Sequence, residues 1–370
     1  MKTMWIILII IVLLFLGTSC FVTQPRFGRT PKGERMERIR NSPNYYDGKF
    51  QNQSYTPQLT SDKSNFSTMM SFLFKKKERL IPDAEIPCVK TDLLSLDIND
   101  DVLIWFGHSS CFIQISGKRF LIDPVFSKAA SPVSFFNKSF KGTNCYNAEY
   151  VPDIDYLIIT HDHWDHLDYP TIKELKPRIG KVICGLGFGE HFERWGFDLA
   201  NIVEMDWDES FVSESDLEIF CLPARHFSGR GFKPNQSLWA SFLIKVSNYT
   251  LYVGGDGGYD THFAEIGKRF GSIDLALLEN GQYDMNWRYI HLLPDEVIAA
   301  AVELNAKRVI PIHNSKFALG NHPWDEPLKQ VYELHKGNDF MLLTPKIGEV
   351  VNLRDSTYLF VFEMVGFLIG

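Results

Sequence analysis

Four ligand-type side chains, His161, His163, Asp165 and His166, fall within the six residues His161-Asp162-His163-Trp164-Asp165-His166. Imidazoles and a carboxylate crowded on one loop without a cation would lose solvation for no return, so the spacing points to bound metal. Nitrogen and carboxylate donors without thiolates suit zinc, with iron and manganese as competitors. The chemistry such a loop supports is metal-assisted hydrolysis.

The elements that would position these groups are legible around them. From about Asp101 the chain reads as short β-rich runs: VLIWFG, CFIQIS and KRFLIDP, then YLIIT, KVIC, LEIFCLPA, WASFLIKV, YTLYVGG, DLALLEN and RVIPIH. Helical patterns lie between them. The clearest is Pro294 to Ala306, with proline and acids in its first turn and Val297, Ala300, Ala301 and Leu304 on one face. This texture predicts an α/β sandwich of two sheets with helices outside. YLIIT ends at His161, LEIFCLPA leads through Arg225 to His226, YTLYVGG ends at Asp256, and RVIPI ends at His313. Four strands thus deliver a ligand-type side chain at their carboxyl ends, which is how α/β folds gather a site at one rim.

THDHWDHLD is similar to the signature of the metallo-β-lactamase superfamily, and PARHFSGRG, GGDGGY and IPIHNSKFAL resemble its remaining ligand motifs in the same order. That resemblance spans Val102 to Val351 and implies the αββα metallo-β-lactamase sandwich. FGRTPKGERMERIRNSPNYYDGKF, LIWFGHSSCFIQISGKRFLIDPVFS, RWGF and IHLLPDE also resemble bacterial relatives of the N-acyl-phosphatidylethanolamine-hydrolysing phospholipase D. The resemblance implies two Zn2+ ions, with Fe or Mn as substitutes. It places one on His161, His163 and His226, and the second on Asp165, His166 and His313. Asp256 would bridge both, together with a water, its two following glycines letting the backbone turn sharply. Asp165 is also the group expected to handle the proton. His291 takes the position of a histidine beside the substrate phosphate. Asp123 is expected to orient a ligand histidine or the loop, and His108 either hydrogen-bonds near the metals or closes a turn. The implied reaction cleaves a phospholipid phosphodiester and releases an alcohol head group. The same metal pair would equally serve a lactonase or carboxylic-ester hydrolase. A β-lactamase fits the bridging-carboxylate pattern less well, and intact ligand positions argue against a binding module that has lost catalysis.

The N-terminal MKTMWIILIIIVLLFLGTSC reads as an export signal. Its apolar run from Met4 to Leu16 is short for a bilayer span, and Gly17-Thr18-Ser19-Cys20 resembles a bacterial lipoprotein cleavage site with Cys20 as the lipidated residue. An uncleaved signal anchor is the rival. Either device keeps the protein on a membrane, which for a lipoprotein is in the bacterial cell envelope. Residues 21–90 read as a tether and wrapping arm, with short helices expected at Gly33 to Arg40 and Ser67 to Leu80. Residues 91–351 form the catalytic domain. Residues 352–370 are an apolar tail, either a terminal strand or a membrane contact.

Cys88, Cys111, Cys145, Cys184 and Cys221 are scattered without a CxxC, so no disulfide framework is expected. A net charge of −7, from 45 acidic and 38 basic side chains, gives no positive field to collect nucleic acid and argues against a nuclease. GLGFG at Gly185 to Gly189 lacks the GxGxxG spacing and reads as a strand-to-helix turn. His191, His262 and His322 have no motif context. SPVSFFNKSF falls where the resembling enzymes have a loop over the site entrance, and Phe135, Phe136 and Phe140 would there favour an acyl chain or a lipid surface, or pack under the loop. Whether the chain is a homodimer stays open.

Overall fold

The computed structural model describes residues 2–60, 78–213 and 216–355. A long apolar helix α1 (Lys2–Val22) is followed by helix α2 (Gly33–Arg40) and a small hairpin, β1 (Tyr45–Tyr46) with β2 (Lys49–Phe50). The first large sheet is built from β3 (Val102–Trp105), β4 (Cys111–Ile115), β5 (Lys118–Ile122), β6 (Ile154–Ile159), β7 (Ile179–Gly185) and β8 (Ile202–Met205). The second is built from β9 (Ser210–Val212), β10 (Leu217–Leu222), β11 (Ser241–Val246), β12 (Tyr249–Val253), β13 (Leu275–Glu279), β14 (Arg308–Ile312) and β15 (Met341–Leu342). A last strand, β16 (Val350–Asn352), returns to pair with β3, so each sheet has seven strands.

The two halves share one plan. Each sheet begins as an antiparallel meander, β3 to β5 or β9 to β12, and continues with parallel strands, β5 to β8 or β12 to β15. Strands covered on both faces need apolar residues at every position, and the alternation sorts them into two cores. Leu103, Ile113 and Phe120 pack inward against Phe242, Ile244 and Leu277 of the second sheet. Their neighbours Ile104, Phe112 and Leu121 face outward under helices α3 (Tyr169–Leu175) and α4 (Gly189–Arg194), against Ile172, Leu175 and Phe192. On the far side Leu243, Tyr252 and Leu278 meet helices α5 (His262–Phe270), α6 (Pro294–Glu303) and α7 (Glu326–Leu334) through Phe263, Val297, Ala300, Ala301 and Val331. The order of layers is αββα. Each fully buried side chain of this size contributes roughly 1.5–3 kcal/mol, so the inter-sheet core dominates stability.

Residues 25–60 lie along the domain and are held by specific polar contacts. Arg35 reaches Glu190, Glu193 and Glu204, and Asn52 accepts from the His226 amide while donating to the His226 carbonyl. Residues 61–77, which hold all but the last three positions of the helix expected at Ser67 to Leu80, and the tail from 356 lie outside the described residues.

Three expectations are corrected. The apolar helix does not stop at Leu16: uncharged Gly17 to Val22 continue it, giving 19 residues from Met4 to Val22 with mean hydropathy 2.9, all of them off the core. At 1.5 Å per residue that is about 28 Å, long enough to cross a bilayer. Cys88 and Cys145 are disulfide-bonded across 57 residues, while Cys20, Cys111, Cys184 and Cys221 are free. The glycines after Asp256 allow close approach rather than a sharp turn. A Cβ on Gly258 would lie 2.0 Å from the Tyr289 carbonyl oxygen, and the left-handed backbone falls before Asp256, at Gly255 (φ 62°).

Candidate metal centre

The carboxyl ends of β3, β5, β6, β10, β12, β13 and β14 meet at one rim, and the site is assembled from the loops that leave them. From β6 comes the loop with His161, His163, Asp165 and His166; from β10, β12 and β14 come His226, Asp256 and His313. His161, His163 and His226 present donor atoms within 4.8 Å of one another, as do His161, His166 and Asp256. A third overlapping group joins Asp165, His166 and His313 with His108, and a fourth joins Asp256 and His313 with Glu279 and His291. Asp256 stands between the groups, with Oδ1 3.2 Å from His166 Nε2 and 3.0 Å from His313 Nδ1, and Oδ2 3.7 Å from His161 Nε2. The seven residues singled out by sequence are thus gathered in one place.

Hydrogen bonds behind the rings fix which nitrogen is presented. His166 donates from Nδ1 to Asp123 Oδ2 at 2.8 Å, leaving Nε2 for the centre. His226 donates from Nδ1 to the Ile290 carbonyl at 2.9 Å, with the same result. Thr160 gives its hydroxyl proton to Asp123 Oδ2 at 2.6 Å and stands 3.1 Å from His161 Nδ1, so its oxygen accepts from that ring. Asp123 therefore holds two imidazoles, one directly and one through Thr160, an arrangement that orients metal ligands. Three site residues sit in the left-handed region: His108 (φ 54°), Asp123 (φ 39°) and His313 (φ 65°). Such conformations cost of order 1–3 kcal/mol each and persist where the surroundings over-determine them.

The donor set fits divalent cations. His161 Nε2 and His313 Nε2 are buried without a hydrogen-bond partner among the described residues, and His166 Nε2 and Asp256 Oδ1, though 3.2 Å apart, are not aligned as a hydrogen bond. Buried polar atoms left in that state are costly unless a cation takes their lone pairs. Burial, together with the neighbouring His166 ring, holds His161 well below its ordinary value, and burial does the same for His226 beside His163. Burial opposes charge on Asp256, but His166 and His313 outweigh it and keep the carboxyl ionised. Neutral His161 and His226 beside an ionised Asp256 are protonation states a metal needs, whereas burial of His166 is outweighed by Asp256, Asp165 and Asp123, which hold its ring charged well above the ordinary value, a positive charge that a cation would replace. Zinc is a plausible ion for this nitrogen and oxygen donor set.

His108 does both things considered for it. Its backbone makes the turn after β3, and its Nε2 donates to Asp165 Oδ2 at 2.8 Å. Burial, reinforced by His313, pushes His108 down to about 3, so the ring is a neutral donor. His291 lines the same cavity, its Nδ1 2.8 Å from Glu279 Oε2. Glu279 was not singled out by sequence: it ends the apolar run of β13 as an isolated acid, and only its place on the shared rim could have flagged it. Burial and the nearby Asp256 push Glu279 well above the usual carboxyl range, while burial lowers His291 to about 3.

The remaining histidines have structural partners. His191 lies between the Arg29 amide and the Asp162 carboxylate, His322 accepts from the Gln282 amide, and His262 packs on Phe263. GLGFG is the turn from β7 to α4. The cavity at the centre, about 450 Å3, has His163, Asp165, Asp256 and His291 at its base and Leu59, Phe227, Trp287, Ile290 and Leu319 among its walls. Phe135, Phe136 and Phe140 do not line it. Phe140 is buried elsewhere, and Phe135 and Phe136 are exposed, their rings in contact at a tilt of 42°.

A profile for the beta-lactamase superfamily domain matches residues 118–314. The uncharacterized protein Rv0906 of Mycobacterium tuberculosis is 33% identical over 315 residues, covering 84% of this chain and 84% of its own. N-acyl-phosphatidylethanolamine-hydrolyzing phospholipase D 1 of Caenorhabditis elegans is 32% identical over 269 residues, 68% of this chain and 75% of that protein. Among solved structures, Igni18, a metallo hydrolase from the archaeon Ignicoccus hospitalis, superposes with a TM-score of 0.52 at 20% identity, covering 68% of this chain and 98% of its own. With its αββα layers and the histidine and aspartate groups at their rim, the chain belongs to the beta-lactamase superfamily as a metal-dependent hydrolase.

Proposed function

We propose that the protein is a two-metal phosphodiesterase of the phospholipase D type, acting on N-acyl-phosphatidylethanolamine-like lipids at a membrane. The observation that carries this reading is the set of unpartnered buried donors around Asp256 at the base of a cavity with apolar walls. In this reading His161, His163 and His226 would hold one ion and Asp165, His166 and His313 the other, with Asp256 placed to serve both. When bound, such a pair supplies an acidified water and positive charge against the phosphoryl oxygens. The chain's own groups do the rest. Leu59, Phe227, Trp287 and Ile290 exclude water and take acyl chain, leaving the phosphodiester over the polar base. Asp165, steadied by His108, accepts the proton of the attacking water. His291 stands beside the phosphate and passes its Nε2 proton to the departing head-group oxygen while its Nδ1 takes the proton held by Glu279, and the proton accepted by Asp165 restores Glu279 through solvent. The new P–O bond forms as the bond to the head group breaks, giving a phosphatidic acid and an alcohol. The relationship to the Caenorhabditis elegans phospholipase supports the lipid class, and α1 or a lipid on Cys20 supports attachment to the substrate's membrane.

The test compares the wild-type chain and Asp256→Asn for metal content and for turnover of a chromogenic phosphodiester and of N-acyl-phosphatidylethanolamine. About two ions per chain, release of phosphatidic acid, and loss of both activities in the variant are expected. Bound metal with neither phosphodiester cleaved would overturn the lipid reading in favour of a lactone or carboxylic ester.

A further inference from the structure

A second cavity, of about 550 Å3, shares the metal loop with the first: His163 and Asp165 line one, and Trp164 between them lines the other. Its walls carry three cations, Arg26, Lys128 and Lys173, with Tyr169 and Ser131 beside Trp164. Among the described residues none of the three cations enters an ion pair. Arg26 is held in place by a single bond from Nη1 to the Pro132 carbonyl, which leaves its other nitrogens to a ligand. Of the two acids in the wall, Asp168 is occupied by the Ser127 amide and the Thr171 hydroxyl, and Glu174 is exposed. The adjacent pair Phe135 and Phe136 is 67% and 53% exposed.

The cavity lies at the root of the apolar helix. α1 ends at Val22, and the chain is pinned to the domain at once: Thr23 and Gly28 carbonyls accept from Arg194, Pro25 from Trp195 Nε1, and Arg26 from Arg230. Phe27 packs edge-on against Trp164, centroids 5.1 Å apart. Arg26 follows Val22 by four residues, which span at most about 14 Å even when extended. Whatever bilayer receives α1, or a lipid on Cys20, is therefore within reach of this face.

We propose that this cavity binds the phosphate of an anionic phospholipid headgroup, with Phe135 and Phe136 entering the interface beside it. The proposal rests on reading the N-terminus as a membrane attachment and not on which lipid the metal centre cleaves. Arg26, Lys128 and Lys173 neutralise the phosphate, and Trp164 and Tyr169 supply the amphipathic rings that suit the headgroup region. Each basic side chain adds about fivefold to association with an anionic surface. Because Trp164 is part of the metal loop, a headgroup held here would also brace that loop from behind.

The full chain is placed in lipid nanodiscs of neutral phosphatidylcholine, or of phosphatidylcholine mixed with phosphatidylglycerol, and amide hydrogen exchange is followed. Since α1 holds the chain in both discs, a difference between them reports the face and not the anchor. Exchange over 127–138 is expected to slow at least about fivefold in anionic discs, and Lys128→Glu/Lys173→Glu to abolish the slowing while disc incorporation and metal content stay unchanged. Equal exchange in both discs, or slowing that survives the double substitution, would overturn the proposal. Slowing in neutral discs on adding inorganic phosphate would overturn the lipid as occupant. Failure to enter discs at all would overturn the membrane attachment, and turnover of N-acyl-phosphatidylethanolamine in detergent tests the catalytic reading separately.

Discussion

Glu279 Oε2 lies 2.8 Å from His291 Nδ1, and the other oxygen of the same carboxyl accepts from the Leu292 amide. The ring is thereby held from behind by a buried acid, and its Nε2 is left for the cavity. Glu279→Gln keeps the shape but not the proton exchange across this contact. A fall in kcat of about 10–100-fold with little change in KM is expected for a chromogenic phosphodiester, and a larger fall for His291→Ala. Full activity in Glu279→Gln would remove the pair from catalysis.

Asp123→Asn tests how the metal ligands are oriented. Asp123 accepts from His166 Nδ1, from the Thr160 hydroxyl and from the Thr160 amide. An amide in its place offers hydrogens to His166 and favours the wrong tautomer, so metal affinity is expected to fall about 10–100-fold. Competition against a chromogenic chelator measures this directly, and unchanged affinity would contradict it.

Gly258→Ala should act on the same centre through the backbone. The added Cβ meets the Tyr289 carbonyl oxygen, two residues before His291. Overpacking of this kind costs about 1–3 kcal/mol, so a lower melting temperature accompanied by a lower kcat is expected. A thermal melt and steady-state kinetics on one preparation separate this from a purely structural effect, which would leave kcat intact.

Cys145→Ser opens a loop closed across 57 residues. The chain-entropy relation puts the loss at about 4 kcal/mol at 25 °C. Denaturant midpoints of oxidised wild type and variant should differ accordingly, whereas reducing agent should lower the wild type and leave the variant unmoved.

Lys316 gives a pH dependence on the alkaline side. Its ammonium is buried, donating to the Phe106 and Val125 carbonyls, and burial lowers it from 10.5 to about 8. Between those values the unfolded chain holds a proton that the native protein has lost, so this group makes stability rise with pH from about 8 to 10.5. Below 8 its penalty is fully present. Lys316→Met should remove that rise from denaturant midpoints at pH 8 and 10; a variant with the wild-type slope would show that another group is responsible.

Much of the site was readable because its residues announce themselves through density. His161 to His166 needed only spacing, and the strands ending at His226, Asp256 and His313 needed only apolar runs followed by a ligand-type residue. Glu279 was missed because one acid after LALL has no spacing to distinguish it. The pairing of Cys88 with Cys145 was missed because it depends on how the segment before β3 folds back beside the loop preceding β6, which no local pattern encodes. Edge strands such as β8 and β9 were passed over for a similar reason: half-exposed and short, they borrow their conformation from the neighbours they pair with. The apolar helix was cut short because Gly17 to Cys20 were read for cleavage and not for continuity.

The centre draws its donors from both halves of the sandwich. His161, His163, Asp165 and His166 leave the first sheet, and His226, Asp256 and His313 leave the second. In the proposed ligand assignment a cation gripped by both would work as a clasp between them, and neither half could close it alone. In the proposed two-ion reading the clasp would close only after His313 has been made and its sheet has docked, so full metal capture would come late in folding. If the protein leaves the cytoplasm unfolded behind its apolar leader, the ion it carries is chosen by the compartment where folding ends, not by the one where synthesis began.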